Sequence, residues 1–81
     1  MLIEKILETK DVLAYLNKRN LLQQYKKSKK YILLWLKKQV DFKLRNPKKL
    51  KIYYFRINKQ FRAYGVLDWN ILKIYEINNH Q

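Results

Sequence analysis

The sequence predicts an α+β domain in which a helical hairpin packs on one face of a small, antiparallel-rich sheet, in the order β-α-α-β-β-β. Apolar residues recur with helical spacing in the first half of the chain, whereas β-branched and aromatic residues dominate 52–77. The turns within that second half are too short for crossover connections, so its strands must be antiparallel. With 81 residues and an apolar fraction of 48%, the chain supports one domain over 1–81 with a single core.

The N-terminal part predicts a strand followed by a short helix. The run LIEKIL at 2–7 is rich in apolar residues and favours a strand. Thr9 is a good N-cap, and Asp11 falls in the first turn, where the helix dipole favours a negative charge. The helix is expected to end near Lys18, with Asn20 in the following turn or capping the next helix.

A second, longer helix is predicted over 21–38. Its apolar residues fall on one broad side, and its lysines fall on the other side together with Leu34. The apolar side holds Leu21, Leu22, Tyr25, Ile32, Leu33, Trp35 and Leu36, and the basic side holds Lys26, Lys27, Lys29, Lys30, Lys37 and Lys38. Because the basic side lacks glutamate partners, it should attract anions.

The C-terminal part predicts a basic connection at 41–51, which contains the only proline, and then a three-strand meander. The strands are IYYFRIN, FRAYGVLD and ILKIYEIN, with turns around 59–60 and 68–70. Strict alternation leaves one set of side chains for the helices and one for the other face, which we call the open face. In the last strand, alternation groups Ile74 with Glu76 and His80.

The open face is expected to collect cations and aromatic rings. Its predicted members are Arg56, Arg62, Tyr64, Glu76 and His80, beside the basic residues Lys43, Arg45, Lys48, Lys49 and Lys51 of the connection. Cations that hold phosphate and rings that stack on bases form a recurring combination in RNA-binding proteins. Tyr53, Tyr54 and Tyr75 are more typical of packing and cross-strand pairs.

Charge indicates a polyanionic partner. Nineteen Lys and Arg against six Asp and Glu give a formal charge of +13, and from Lys18 to Arg62 the only acidic residue is Asp41. Nucleic acid is therefore the leading partner, and an acidic protein is the second.

Composition also bounds the function. The chain has no cysteine and one histidine, so a disulfide framework or a zinc site is not expected. The longest apolar run, YILLWL, is too short to span a bilayer, and the charged N-terminus does not resemble a signal peptide. We expect a cytoplasmic protein that uses no metal, cofactor or membrane.

The stretch FRINKQFRAYG, followed by one strand and a terminal histidine, resembles the RelE/ParE superfamily of toxins from type II toxin–antitoxin pairs. The hairpin R-I-N-x-Q-F-R is most similar to the HigB-like branch. The resemblance implies a ribosome-dependent endonuclease that cuts messenger RNA without metal, by attack of the 2′-OH on the adjacent phosphate. It also implies a cognate antitoxin protein as a partner, in addition to the ribosome and its mRNA.

The resemblance assigns roles to individual residues. Arg62 matches the arginine that stabilises the phosphate, Arg56 is a second cation, and Lys59 is a further RNA contact in the turn. His80 matches the terminal histidine that transfers a proton. Asn78 and Asn79 replace the acid and tyrosine of the HigB-like ending, so Glu76 and Tyr64 or Tyr54 are the substitutes. With Lys30 and Lys37 on the basic helix, the RNA contacts are Lys30, Lys37, Lys43, Arg45, Lys48, Lys49, Lys51 and Lys59.

Two other functions fit the same sequence. A ParE-like gyrase inhibitor has the same fold and cleaves nothing, and a non-catalytic relative would only bind RNA. In either case Arg62 has no catalytic role; it could instead form a structural ion pair with Glu76.

Overall fold

The computed structural model describes residues 3–79. Two α-helices pack on one face of a five-stranded mixed sheet, which confirms the α+β class. The helices are α1 (Lys10–Lys18) and α2 (Leu22–Leu33), and the strands are β1 (Lys5–Glu8), β2 (Lys43–Leu44), β3 (Ile52–Arg56), β4 (Phe61–Asp68) and β5 (Ile71–Asn79). Short 3-10 helices span Lys37–Val40 and Lys48–Leu50. No helix of this described part is long and apolar enough to cross a membrane.

The sheet order is β1-β5-β4-β3-β2, and β1 runs parallel to β5 while all other pairs are antiparallel. The three-strand meander is therefore confirmed. Two details differ from the prediction. The first strand occupies Lys5–Glu8 instead of 2–7, and the basic connection contains β2, which pairs with β3. A two-residue strand produces no alternation that a sequence could display.

Helix α1 begins and ends as predicted. The Thr9 Oγ1 accepts a hydrogen bond from the Val12 backbone N–H at 3.1 Å, as an N-cap should. At the other end Asn20 adopts a positive φ of 58°, and the Leu21 N–H donates to the Leu16 carbonyl at 2.8 Å. This is a Schellman motif, in which asparagine takes the left-handed position.

Helix α2 ends at Leu33, so the prediction of a helix to residue 38 is wrong. Trp35 has a φ of 69°, and the Leu36 N–H donates to the Tyr31 carbonyl at 2.8 Å. The helix thus closes with a second Schellman motif, with tryptophan where glycine is usual. As a result Trp35 and Leu36 are exposed instead of lying on the apolar side of a continuous helix.

The core lies between the helices and the sheet. The side chains that are essentially inaccessible to solvent come from both layers: Leu16, Tyr25 and Ile32 from the helices and Phe55, Ala63, Leu72 and Ile74 from the strands. Each strand residue in this set alternates with an exposed or half-buried neighbour, as expected for a sheet covered on one face.

A β-bulge changes the phase of β5. The register pairs Tyr64 with Glu76 but Gly65 with Ile74, so Tyr75 is an extra residue. Ile74 and Ile77 both face the core, and Glu76 does not share a face with Ile74. Strict alternation was therefore wrong about that grouping. Glu76 reaches the predicted open face because of the bulge.

A polar network fastens α2 to the sheet. The Tyr25 hydroxyl donates to Glu8 Oε2 at 2.7 Å, and the Lys29 Nζ contacts the same oxygen at 2.8 Å. Burial, with the hydrogen bond to Glu8, raises the pKa of Tyr25 well above its usual range. The buried Ser28 hydroxyl donates to the Arg56 carbonyl at 3.0 Å. The Glu8 contacts therefore tie α2 to β1, and the Ser28 hydrogen bond ties α2 to the end of β3, where Arg56 lies.

Candidate nucleic-acid interface

The open face is the surface of the sheet opposite the helices. The β3–β4 register places Tyr54 beside Tyr64 and Arg56 beside Arg62. The β4–β5 register adds Glu76 beside Tyr64, and β2 brings Lys43 beside Tyr54. The structure therefore brings together, on neighbouring strands, the predicted residues Arg56, Arg62, Tyr64 and Glu76.

Two tyrosines and two arginines form the centre of this face. The rings of Tyr54 and Tyr64 stack at a centroid distance of 5.4 Å and an interplanar angle of 25°. The Arg62 guanidinium carbon lies 5.4 Å from the Tyr54 centroid, and that of Arg45 lies 5.4 Å from the Tyr64 centroid. Contacts of this kind orient a guanidinium without neutralising it. We call Arg45, Tyr54, Arg62 and Tyr64 the Arg–Tyr cluster.

Arg62 is held by an aromatic ring and not by a carboxylate. Within residues 3–79 no acidic oxygen lies in ion-pair distance of its guanidinium. The proposed structural ion pair between Arg62 and Glu76 is therefore not formed. Glu76 instead accepts a hydrogen bond from the Asn78 side chain at 3.3 Å. The guanidinium of Arg62 thus keeps its donors for a ligand.

Arg56 has a carboxylate partner. Its guanidinium lies 3.5 Å from Asp41 Oδ2, and both side chains are about half exposed. An exposed pair of this kind contributes at most about 1 kcal/mol. A phosphate could therefore replace Asp41 at little cost, so Arg56 is compatible with its predicted role as a second cation.

Two of the predicted acid–base residues, Glu76 and Tyr64, are among those that the structure describes. Glu76 is directly opposite Tyr64 in the register, and both are accessible, with Tyr64 half-buried. His80 lies outside the described residues.

The predicted RNA contacts fall into four groups. Arg45, just after β2, belongs to the Arg–Tyr cluster, and Lys43 on β2 lies beside Tyr54 in the register. Lys48 and Lys51 line a cleft of about 500 Å³ at the β4–β5 turn, next to Trp69, and Lys49 belongs to the same 3-10 helix. Lys59 lies in the β3–β4 turn. Lys30 and Lys37 belong to the helical layer and are not brought together with Arg62.

Sequence reasoning placed Arg45 beside the open face but missed its contact with the Tyr64 ring, and it also missed the stacking of the tyrosine pair. The position of Arg45 depends on β2, which turns the connection back along β3. The Arg45 N–H donates to the Ile52 carbonyl at 2.8 Å, and this bond carries the side chain over Tyr64. The only signal in the sequence was the pairing of Tyr54 with Tyr64 that a tight hairpin implies.

The chemistry of the face suits a phosphodiester chain. Guanidinium groups bind phosphate oxygens through directed hydrogen bonds, and tyrosine rings stack on bases. Within residues 3–79 no group of three or more His, Cys, Asp and Glu side chains is arranged to hold a metal ion.

Comparisons with protein-family models, with curated proteins and with solved structures found no significant match.

Proposed function

We propose that this protein is a RelE-like toxin of a type II toxin–antitoxin pair, a cytoplasmic endoribonuclease that cuts messenger RNA on the ribosome. The observation that carries the proposal is the Arg–Tyr cluster, in which Arg62 is oriented by Tyr54 and has no carboxylate partner among residues 3–79. The hairpin R-I-N-x-Q-F-R supports the assignment to the HigB-like branch.

The proposed reaction needs no external nucleophile. The 2′-OH of one nucleotide attacks the adjacent phosphorus, the 5′-oxygen of the next nucleotide leaves, and a 2′,3′-cyclic phosphate remains. A base removes the 2′-OH proton, and an acid supplies a proton to the leaving oxygen. Glu76 and His80 are the candidates for these transfers, with Tyr64 as an alternative donor.

Arg62 has the most demanding role in this reaction. Negative charge increases on the non-bridging oxygens as the phosphorane forms, and a fixed cation there lowers the barrier. The Tyr54 ring positions the guanidinium before the substrate arrives. Arg56, which can exchange Asp41 for phosphate, adds charge at the same end of the face.

The test is induction of the protein in growing cells, with Arg62→Ala compared to the wild type. Wild type should stop growth and cut transcripts at codon positions, and Arg62→Ala should reduce cutting by about 10²–10³-fold. Arg19→Ala is the matched control, because Arg19 also lies over a tyrosine ring, that of Tyr15, but at the C-terminal end of α1. It should cut like the wild type.

Three results would contradict the proposal. Full cutting by Arg62→Ala would refute the site. DNA-damage signalling with intact messages would indicate gyrase inhibition instead. Salt-sensitive RNA binding without toxicity would indicate a non-catalytic RNA-binding protein.

A further inference from the structure

A cleft of about 470 Å³ opens between α2, the 3-10 helix at Lys37–Val40 and the β3–β4 turn. Its size falls in the range of small-ligand sites, about 300–1,000 Å³. Its lining is basic and polar and includes no acidic side chain: Gln24, Lys27, Ser28, Tyr31, Gln39, Val40, Arg56, Ile57, Asn58 and Lys59. No part of the sequence reasoning identified it.

Three cations line this cleft: Lys27 from α2, Arg56 from β3 and Lys59 from the turn. Neither lysine forms an ion pair within residues 3–79. Arg56 also stands next to Arg62 on the open face. The cleft and the open face therefore adjoin at Arg56, whose guanidinium lies 3.5 Å from Asp41 Oδ2.

The cleft also offers groups that read a base. The Gln24 Oε1 accepts a bond from the Asn58 Nδ2 at 2.6 Å, which leaves the Gln24 amide protons for a ligand. Gln39 makes no side-chain hydrogen bond within residues 3–79, so its amide can both donate and accept. The half-buried ring of Tyr31 supplies an aromatic surface.

The walls of the cleft are fixed in advance. Ser28, which is 4% exposed, donates to the Arg56 and Ile57 carbonyls. The Asn58 Oδ1 accepts from the Gln60 and Phe61 N–H groups at 2.8 and 2.9 Å, which holds the turn in shape. Because the turn and its junction with α2 are already ordered, binding a ligand there carries a lower ordering cost.

We infer that this cleft is a second nucleotide subsite, which takes a base and phosphate of the RNA strand next to the segment on the open face. The inference rests on the proposed function, because it takes one RNA strand to occupy both the open face and the cleft. Lys27 and Lys59 contact phosphate, and Gln39 and Gln24 contact the base. Arg56 bridges the two sites.

The test compares two RNA lengths by fluorescence anisotropy. Single-stranded sites span about four to sixteen nucleotides, so a trinucleotide is too short to bridge the open face and the cleft, whereas a decanucleotide can reach both. Both oligonucleotides carry 2′-O-methyl groups, which prevents cleavage by 2′-OH attack and isolates binding. The probe variant is Lys27→Gln with Lys59→Gln.

The probe variant should lose affinity for the decanucleotide alone. Each phosphate contact to a single strand contributes about 0.7 to the salt slope, so losing two contacts costs about 25-fold at 0.1 M salt and lowers the slope by about 1.4. Trinucleotide affinity should stay within about twofold of wild type. The control variant, Lys18→Gln with Lys26→Gln, removes the same charge from exposed helix positions outside the cleft. It should retain the wild-type difference in affinity between the decanucleotide and the trinucleotide.

A second measurement locates the ligand. In a ¹⁵N-labelled protein the side-chain amide signals of Gln24 and Gln39 should shift with the decanucleotide and not with the trinucleotide. Equal decanucleotide affinity in the probe variant and the wild type, or unmoved amide signals, would overturn the subsite alone. Failure of both oligonucleotides to bind the wild type would overturn the RNA-directed function together with the subsite.

Discussion

Replacing Tyr25 by phenylalanine tests the network that fastens α2 to the sheet. The ring remains stacked on Phe55, so the change removes only the hydroxyl that donates to Glu8 at 2.7 Å. A hydrogen bond to a charged acceptor contributes about 1.5–3 kcal/mol. For a domain of this size, a loss of about 2 kcal/mol lowers Tm by about 8–16 °C.

The same hydroxyl predicts a dependence on pH. An unfolded tyrosine titrates near pH 10, and the pKa of Tyr25 is raised in the folded state, first by burial and then by Glu8. The unfolded chain therefore loses this proton first. The stabilisation is fully present below about pH 10 and falls above it by about 1.4 kcal/mol per pH unit.

The assay is urea unfolding followed by circular dichroism, at pH 8 and at several values above pH 10. The free-energy difference between wild type and Tyr25→Phe should be about 2 kcal/mol at pH 8 and should shrink as pH rises above 10. Tyr15→Phe is the control, because the Tyr15 hydroxyl makes no hydrogen bond within residues 3–79. A difference under about 0.5 kcal/mol at pH 8, or one that stays constant above pH 10, would refute the reasoning.

Two further predictions concern the packing of β4 against β5 and the cap of α1. Gly65→Ala should destabilise the fold by about 2–3 kcal/mol. The reason is that the new Cβ would stand 2.7 Å from Ile74 Cδ1 and 2.9 Å from the Lys73 carbonyl oxygen. An unfolding free energy within about 0.5 kcal/mol of wild type would contradict the packing described. Thr9→Ala should lower the unfolding free energy by about 1 kcal/mol in the same urea assay, since it removes the cap of α1. Thr9→Ser should restore most of that free energy. Equal stability of the alanine and serine variants would argue against the cap.

The sequence predicted the open face well because alternation in β3 and β4 is undisturbed there. Phe55 and Ala63 face the core, and their neighbours Arg56 and Arg62 must then face outward. The cap at Thr9 was equally predictable, since it depends on one side chain and the backbone three residues later. These features are local, and local chemistry decides them.

The errors have non-local causes. Helix α2 stops because Trp35 takes a left-handed conformation that its residue type disfavours. The apolar periodicity continues beyond Leu33, so the sequence predicted a helix that is too long. The bulge at Tyr75 depends on how β5 fits against β4, which the sequence of β5 alone does not show. The cleft beside α2 forms only when the β3–β4 turn meets the helix through Ser28 and Asn58.

The position of β5 in the sheet bears on how the protein folds as it is made. This strand lies between β1 and β4, yet it is the last of the five to leave the ribosome. Lys5 pairs with Ile71 across most of the chain, and pairings of such long range slow folding. Until β5 emerges, β1 has no strand partner and the buried side chains of α1 lack Leu72 and Ile74 as neighbours. The open face is therefore incomplete until β5 has been synthesised and has paired with β4.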